Sequence, residues 1–354
     1  MASKCTVKIK NICIGQQNSI PIQSMCSIPF SRFEDLKKQA LSLEQAGCDI
    51  LRVAFPDKES AKPFAALKEV LQIPLVADIH FDWKLALEAI SAGADKIRIN
   101  PGNTDRTHLK QVVRAAEAAH IPIRVGINAG SMERDLLARY GGPTPEALAE
   151  SAQRNVSLLE EHGFDQIVVS IKSSDVITMV QAYRLFAAQS PYPLHLGVTE
   201  SGTLRSGTVK SSIGIGALLL DKIGDTLRVS LTADPLEEVQ TAKILLRTLH
   251  LYSEGVEVIS CPTCGRATTD TISLANRVER EFADVKTPLK IAVMGCMVNG
   301  PGEAKQADIG ITGANGEYVL FCGDRILRHI PEDKIMQILR EETEKIRKHD
   351  TTAD

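Results

Sequence analysis

Cys261-Pro262-Thr263-Cys264 sets two thiols three positions apart, and Cys296 follows in a glycine-rich stretch, Gly295 to Gly302. Alone, a C-x-x-C suits a zinc site, a redox dithiol or a corner of an iron–sulfur cluster. A zinc ribbon calls for a second C-x-x-C, but Asn299 stands where its last cysteine belongs. Three thiols are thus offered, with Cys322 a possible fourth. The glycines let backbone N–H groups approach a cluster sulfur, and Glu303 is spaced to add an oxygen ligand. A [4Fe–4S] cluster on three cysteines keeps one iron exchangeable, free to polarise a substrate oxygen.

A second set of residues is basic. Arg52, Arg98, Arg124 and Arg228 each stand between aliphatic neighbours in β-branched runs, and Lys172 ends a fifth run. Such runs read as buried parallel strands, where a cation needs a counter-charge. Carboxylates such as Asp78 and Asp225 are at hand for individual pairs. Five cations near the C-terminal ends of separate strands suit a shared polyanion better, and a diphosphate is the natural candidate. Asp78, His80, Asn100, Asn128, Glu200 and Ser230 share those strand ends. Glu200 is the best-placed proton donor for a leaving oxygen, with His80 as a second candidate.

The elements that must position these residues alternate. Strand-like runs cover 22–25, 49–55, 75–79, 96–100, 122–128, 166–172, 194–200 and 226–232. Helical patterns follow most of them, as at 32–46, 83–91, 146–162 and 236–250. Eight strand–helix units predict a (β/α)8 TIM barrel over 1–250. A doubly wound sheet holds the same units, but no unit carries a Gly-x-Gly-x-x-Gly turn. From 251 to 354 the rhythm changes to a smaller α+β domain. Its strands are expected before Cys261 and at 290–294, 308–312 and 318–321, with helices at 271–283 and 332–348 and a hairpin turn at Asn315-Gly316.

Composition narrows the field. Hydrophobic residues at 44% rule out a mostly disordered chain, and a net charge of −3 gives no basic footprint for nucleic acid. No apolar leader or membrane-length run is visible, so a cytoplasmic protein is expected, where disulfides are rare. Cys5, Cys13, Cys26 and Cys48 then read as inert residues beside the barrel core.

CPTCGR followed by GCMVNGPGEAKQADIG resembles the 4-hydroxy-3-methylbut-2-enyl diphosphate synthase family, IspG or GcpE. The likeness extends over LRVAFP, KIRINPGN, RVGINAGS, SIKSSD, GVTESG and LRVSLTADP. It implies a TIM barrel joined to a [4Fe–4S] domain of the sulfite/nitrite reductase type, in the compact bacterial two-domain form. It implies reductive ring opening and dehydration of 2-C-methyl-D-erythritol 2,4-cyclodiphosphate in the non-mevalonate isoprenoid pathway. Flavodoxin or ferredoxin would deliver the two electrons. A homodimer is implied, in which one subunit's cluster domain caps its partner's barrel.

By position, the resemblance assigns Cys261, Cys264, Cys296 and Glu303 to the cluster. It assigns Arg52, Arg98, Arg124, Asn128, Lys172, Arg228 and Ser230 to the diphosphate and Glu200 to proton donation, while Asp78, His80 and Asn299 lie beside these motifs. Two other readings compete. One is a zinc-stabilised barrel enzyme using Cys261, Cys264, Cys296 and Cys322 on another phosphorylated substrate. The other is a non-enzymatic iron–sulfur electron carrier, which would not need the five cations.

Overall fold

The computed structural model describes residues 3–16, 19–79, 82–297, 302, 304–314, 317–322 and 325–350. They fall into two compact units, dividing after Tyr252. No helix among them is long and apolar enough to cross a membrane.

The first unit opens with a hairpin, β1 (Val7–Ile9) and β2 (Ile12–Ile14), turned at Lys10 with φ 53°. Six parallel strands then pair in chain order: β3 (Gln23–Met25), β4 (Ile50–Ala54), β5 (Leu75–Asp78), β6 (Lys96–Ile99), β7 (Ile123–Asn128) and β8 (Ile167–Lys172). Two short strands, β9 (His195–Leu196) and β10 (Thr226–Leu227), pair with each other in parallel. Single bridges join Val169 to Leu194 and Ile22 to Leu227. The ring is therefore closed, and an open doubly wound sheet is excluded.

The helices pack outside the ring because each carries an apolar stripe. In α1 (Phe33–Gln45), Leu36, Ala40 and Leu43 are buried at the spacing of one helical face. The helices α2 (Ala61–Val70), α3 (Trp83–Ser91), α4 (Arg106–Ala118), α5 (Arg134–Tyr140), α6 (Pro145–Glu160), α7 (Val176–Gln189), α8 (Leu204–Leu220) and α9 (Pro235–Thr248) follow. Several begin at capping side chains, as at Thr144 before α6, whose hydroxyl accepts from Ala147 N at 3.2 Å. The N-terminal hairpin seals one end of the ring: Ile9 and Ile14 pack on Ile50 of β4 and Val76 of β5. Ser3 adds a hydrogen bond to Asp225 at 2.6 Å.

The last two barrel strands are much shorter than the predicted 194–200 and 226–232. Gly197 lies so close to the Arg228 carbonyl that a Cβ there would stand 2.8 Å from it. Beyond it, Glu200 and Gly202 turn the chain through left-handed conformations, φ 51° and 104°. Side-chain bonds, described below, replace the missing ladder.

The second unit is one five-stranded sheet in the order β11 (Val256–Ser260), β12 (Leu289–Met294), β13 (Ile309–Ala314), β14 (Glu317–Cys322) and β15 (Arg325–Ile330). The first three strands run parallel and the last two return antiparallel. Helix α10 (Thr271–Glu281) connects β11 to β12, and α11 (Ile335–Asp350) follows β15. Leu274, Val278 and Phe282 pack with Ile291, Val293, Ile311, Leu320 and Leu339 in its core. The hairpin turn expected at Asn315-Gly316 lies outside the described residues, although Ala314 pairs with Glu317 across it.

Candidate functional site: a cationic barrel mouth and a thiol-bearing sheet end

Along β6, Lys96 and Arg98 fall on the same side of the strand, because strand side chains alternate. The same alternation turns Arg52, Asp78, Arg124 and Lys172 into the ring. Arg98 lies flat over β7, where Gly126 gives it room: a Cβ at that position would overlap the guanidinium. Asp78 is fully buried and holds two arginines, Arg52 at 2.9 Å and Arg98 at 3.6 Å. Their side chains keep 11% and 15% of their surface, so each still meets solvent at the mouth.

Arg228 is held from behind. Its Nε and Nη2 donate to the two carboxylate oxygens of Glu238 at 3.2 and 3.1 Å. The same carboxylate accepts from Leu231 N at 3.0 Å and from Ser24 Oγ of β3 at 3.4 Å. Glu238, on α9, thereby fastens the frayed end of β10 across the seam to β3. Ser201 Oγ also donates to the Ser230 carbonyl.

Arg124 differs from the other cations. It is only 1% exposed, and Nη1 donates to Gln23 of β3 at 3.1 Å. It sits beneath the mouth rather than in it. Lys172 lies beside Gly197, its Nζ 3.4 Å from where a Cβ would be. Burial, and then the guanidinium of Arg52, push its ammonium well below the usual lysine range. Arg52 is lowered to about 10 by burial, against the pull of Asp78.

The remaining barrel candidates lie at strand ends or on the loops beyond them. Asn128 ends β7, and its side chain caps the following turn by accepting from Gly130 N at 3.3 Å. Glu200 was expected at a strand end; it is instead exposed in a left-handed turn. A non-glycine residue in that conformation is strained and must be held by its surroundings. His80, Asn299 and Glu303 lie outside the described residues.

Sequence reasoning missed three buried residues: Lys96, His195 and Glu238. Of these only His195 had a clear signal, standing inside an apolar run; Lys96 opens its run after Asp95, and Glu238 follows Glu237 in a charged helix start.

In the second unit the thiols follow the ends of neighbouring parallel strands. Ser260 of β11 pairs with Val293 of β12, so Cys261 and Cys296 emerge at the same end of the sheet. Cys261 Sγ accepts from Gly295 N at 3.2 Å. Gly295 is needed there, since a Cβ would stand 2.7 Å from Thr271 Oγ1. Cys264 is exposed, and the backbone N–H and side chain of Arg266 hold its thiol below the usual range. The Gly295 N–H donor and the nearby Arg266 suit thiolate sulfur, so this donor set fits a cluster. Among the described residues, no three His, Cys, Asp or Glu side chains are grouped to hold a metal ion.

Cys322 is placed differently. It closes β14, whose direction opposes that of β11 and β12, and its Sγ donates to the Asp308 carbonyl at 3.0 Å, just before β13 begins. It therefore lies at the opposite end of the sheet from Cys261 and Cys296, which overturns the four-thiolate zinc reading. Cys26 and Cys48 are buried as expected, whereas Cys13 is exposed on the N-terminal hairpin.

Fold and site together define a class: a closed α/β barrel with a polycationic mouth, joined to an α+β unit that presents thiols. Comparison with known proteins makes this specific. The GcpE TIM-barrel domain matches residues 4–243, and the GcpE protein C-terminal domain matches 257–345. The chain belongs to the GcpE family. It is 53% identical over 345 residues to the 4-hydroxy-3-methylbut-2-en-1-yl diphosphate synthase (flavodoxin) of Caldanaerobacter subterraneus subsp. tengcongensis, covering 97% of each chain. It is 50% identical over 341 residues to the enzyme of the same name from Lysinibacillus sphaericus, covering 96% of this chain and 92% of the other. Among solved structures, type I 3-dehydroquinate dehydratase from Clostridium difficile superposes with a TM-score of 0.53 at 16% identity, over 70% of this chain and 98% of that one. That likeness concerns the barrel fold alone.

Proposed function

We infer that this chain makes 4-hydroxy-3-methylbut-2-enyl diphosphate by reductive ring opening and dehydration of 2-C-methyl-D-erythritol 2,4-cyclodiphosphate. The observation that carries the reading is the cationic mouth, in a chain whose relatives of the same length bear that enzyme name. Arg52, Arg98, Lys172 and Arg228 would grip the diphosphate, with Asn128 and Ser230 beside them and Arg124 supporting from below. Asp78 and Glu238 aim the guanidiniums. Glu200 would hold the proton that lets an oxygen leave as water.

Cys261, Cys264 and Cys296 would hold a [4Fe–4S] cluster, with Glu303 as the displaceable fourth ligand, in a domain of the sulfite/nitrite reductase type. Bound there, the cluster would supply electrons singly and an iron site that polarises the substrate oxygen. Flavodoxin is the favoured electron donor, since the relatives carry it in their names. A cytoplasmic homodimer completes the proposal.

The test is anaerobic purification followed by absorbance, iron analysis and turnover with dithionite or reduced flavodoxin. Cys261→Ser, Cys264→Ser and Cys296→Ser should each lose iron and activity, while Cys322→Ser keeps both. A colourless protein holding zinc would remove the redox mechanism. A brown protein that binds no cyclodiphosphate would refute the substrate assignment.

A further inference from the structure

Under the mouth lies a second polar layer. Lys96 of β6, Arg124 of β7 and His195 of β9 are each at most 1% exposed, and so is Gln23 of β3. Barrel interiors are ordinarily filled with branched aliphatic side chains. Among the described residues, Lys96 Nζ, both ring nitrogens of His195, Arg124 Nε and Gln23 Nε2 have no hydrogen-bond partner.

Lys96 is faced by the guanidiniums of Arg124 and of Arg52 from β4. His195 feels those two, Lys172 from β8 and Lys96 itself. The carboxylate on the strand beside Lys96, Asp78 of β5, is committed to Arg52 and Arg98. The Tyr183 hydroxyl donates to the His195 carbonyl at 2.5 Å and so does not serve the ring. Glu238 is taken by Arg228. Among the described residues, six lysine and arginine side chains, with His195 beside them, thus share two carboxylates.

A desolvated excess of positive charge cannot persist in full, because each uncompensated buried charge costs several kcal/mol, on the order of a whole folding margin. Arginine does not release its proton under ordinary conditions, whereas lysine and histidine do. Burial, followed by the nearby Arg124 guanidinium, pushes both Lys96 and His195 well below their usual ranges.

We propose that Lys96 is a neutral amine in the empty barrel and takes up a proton from solvent when a diphosphate anion binds at the mouth above it. This rests on the diphosphate reading of the mouth. The anion brings the negative charge that the layer lacks, so it reverses the reason for neutrality. Binding then carries a proton with it. Affinity falls as pH rises, by as much as about tenfold per pH unit for each proton taken up.

The measurement is calorimetry on the anaerobically purified full chain with the cyclodiphosphate, near neutral pH, in two buffers of different ionisation heat. Each phosphorus of that ring bears a single, strongly acidic oxygen, so the ligand does not itself titrate there. Wild type should take up protons, and Lys96→Met should still bind while taking up most of one proton fewer. Lys172 and His195 account for what remains. No uptake by wild type, or equal uptake by both proteins, overturns the proposal. Absence of saturable binding in either buffer sinks the diphosphate reading and this inference with it. If Lys96→Met does not fold, the ¹⁵N shift of the Lys96 amine in wild type decides: a change from amine to ammonium on adding ligand supports the proposal, and an unchanged shift refutes it.

Discussion

Replacing Asp78 by asparagine removes one charge and no volume. In the wild-type barrel this carboxylate answers Arg52 at 2.9 Å and Arg98 at 3.6 Å, with no exposed surface of its own. With charge centres about 4 Å apart and an effective dielectric near 20, each pair contributes about 4 kcal/mol of attraction. Losing both is offset by no longer burying the carboxylate, which itself costs several kcal/mol. The net loss is about 3–5 kcal/mol, the range for breaking a buried pair from one side. In a unit of this size that lowers Tm by roughly 6–20 °C. Thermal melts followed by circular dichroism near neutral pH give the number. The mouth is also one charge more positive, so saturating cyclodiphosphate should raise the Tm of Asp78→Asn more than that of wild type. A variant melting within about 3 °C of wild type, with no larger ligand shift, would show that Asp78 does not hold the two arginines.

Three further outcomes are expected. Glu238→Gln should weaken kcat/KM by about 10- to 100-fold, the worth of charge-assisted bonds to Arg228, chiefly through KM, with the absorbance of the proposed cluster unchanged; loss of that absorbance instead would contradict a role confined to the barrel. The ligand-free protein should gain stability as pH rises from acid toward the ordinary lysine value of 10.5, because Lys96, Lys172 and His195 bind fewer protons folded than unfolded. Urea titrations across that range check the sign, and a stability that falls steadily from neutral pH upward would refute it. In cluster-free protein, iodoacetamide should reach Cys264 early, since its thiol is exposed and lowered beside Arg266. Cys26 and Cys48, pushed up to about 12 by burial, should react last under native conditions by peptide mapping.

The barrel was legible because most of its first six strands carry β-branched residues and each is followed by a helix; β3, Gln23-Ser24-Met25, has none and is marked only by Ile22 just before it. The seam was not legible. The sequence does not show that β9 and β10 stop after two residues, because a close approach between Gly197 and the Arg228 carbonyl decides it, with Glu238 of the helix that follows, α9, holding Leu231 N. The N-terminal hairpin was missed because its strands have three residues each, and β15 because its residues are exposed up to Ile330, without the alternation that marks a half-buried strand. At the site, the five cations were visible as charges among aliphatic neighbours. Sequence could not separate Arg124, sealed below the mouth, from Arg98, its partner in register on the next strand. Lys96 was passed over because it opens its strand, where a lysine ordinarily reaches solvent.

The hairpin that corks the barrel has a consequence for synthesis. Its strands leave the ribosome before any part of their seat exists. Ile50 and Val76, against which Ile9 and Ile14 pack, follow later, and Asp225, which receives Ser3, comes more than two hundred residues after the hairpin. Until Ile50 and Val76 emerge its isoleucines have nothing to cover, and until Asp225 emerges Ser3 has no partner there. The same contacts tie the beginning of the barrel to its last strand, so the cork can seat fully only when the ring has closed. A chain that ends before β10 lacks Asp225, so the hairpin would pack on β4 and β5 without its tie to the closing strand.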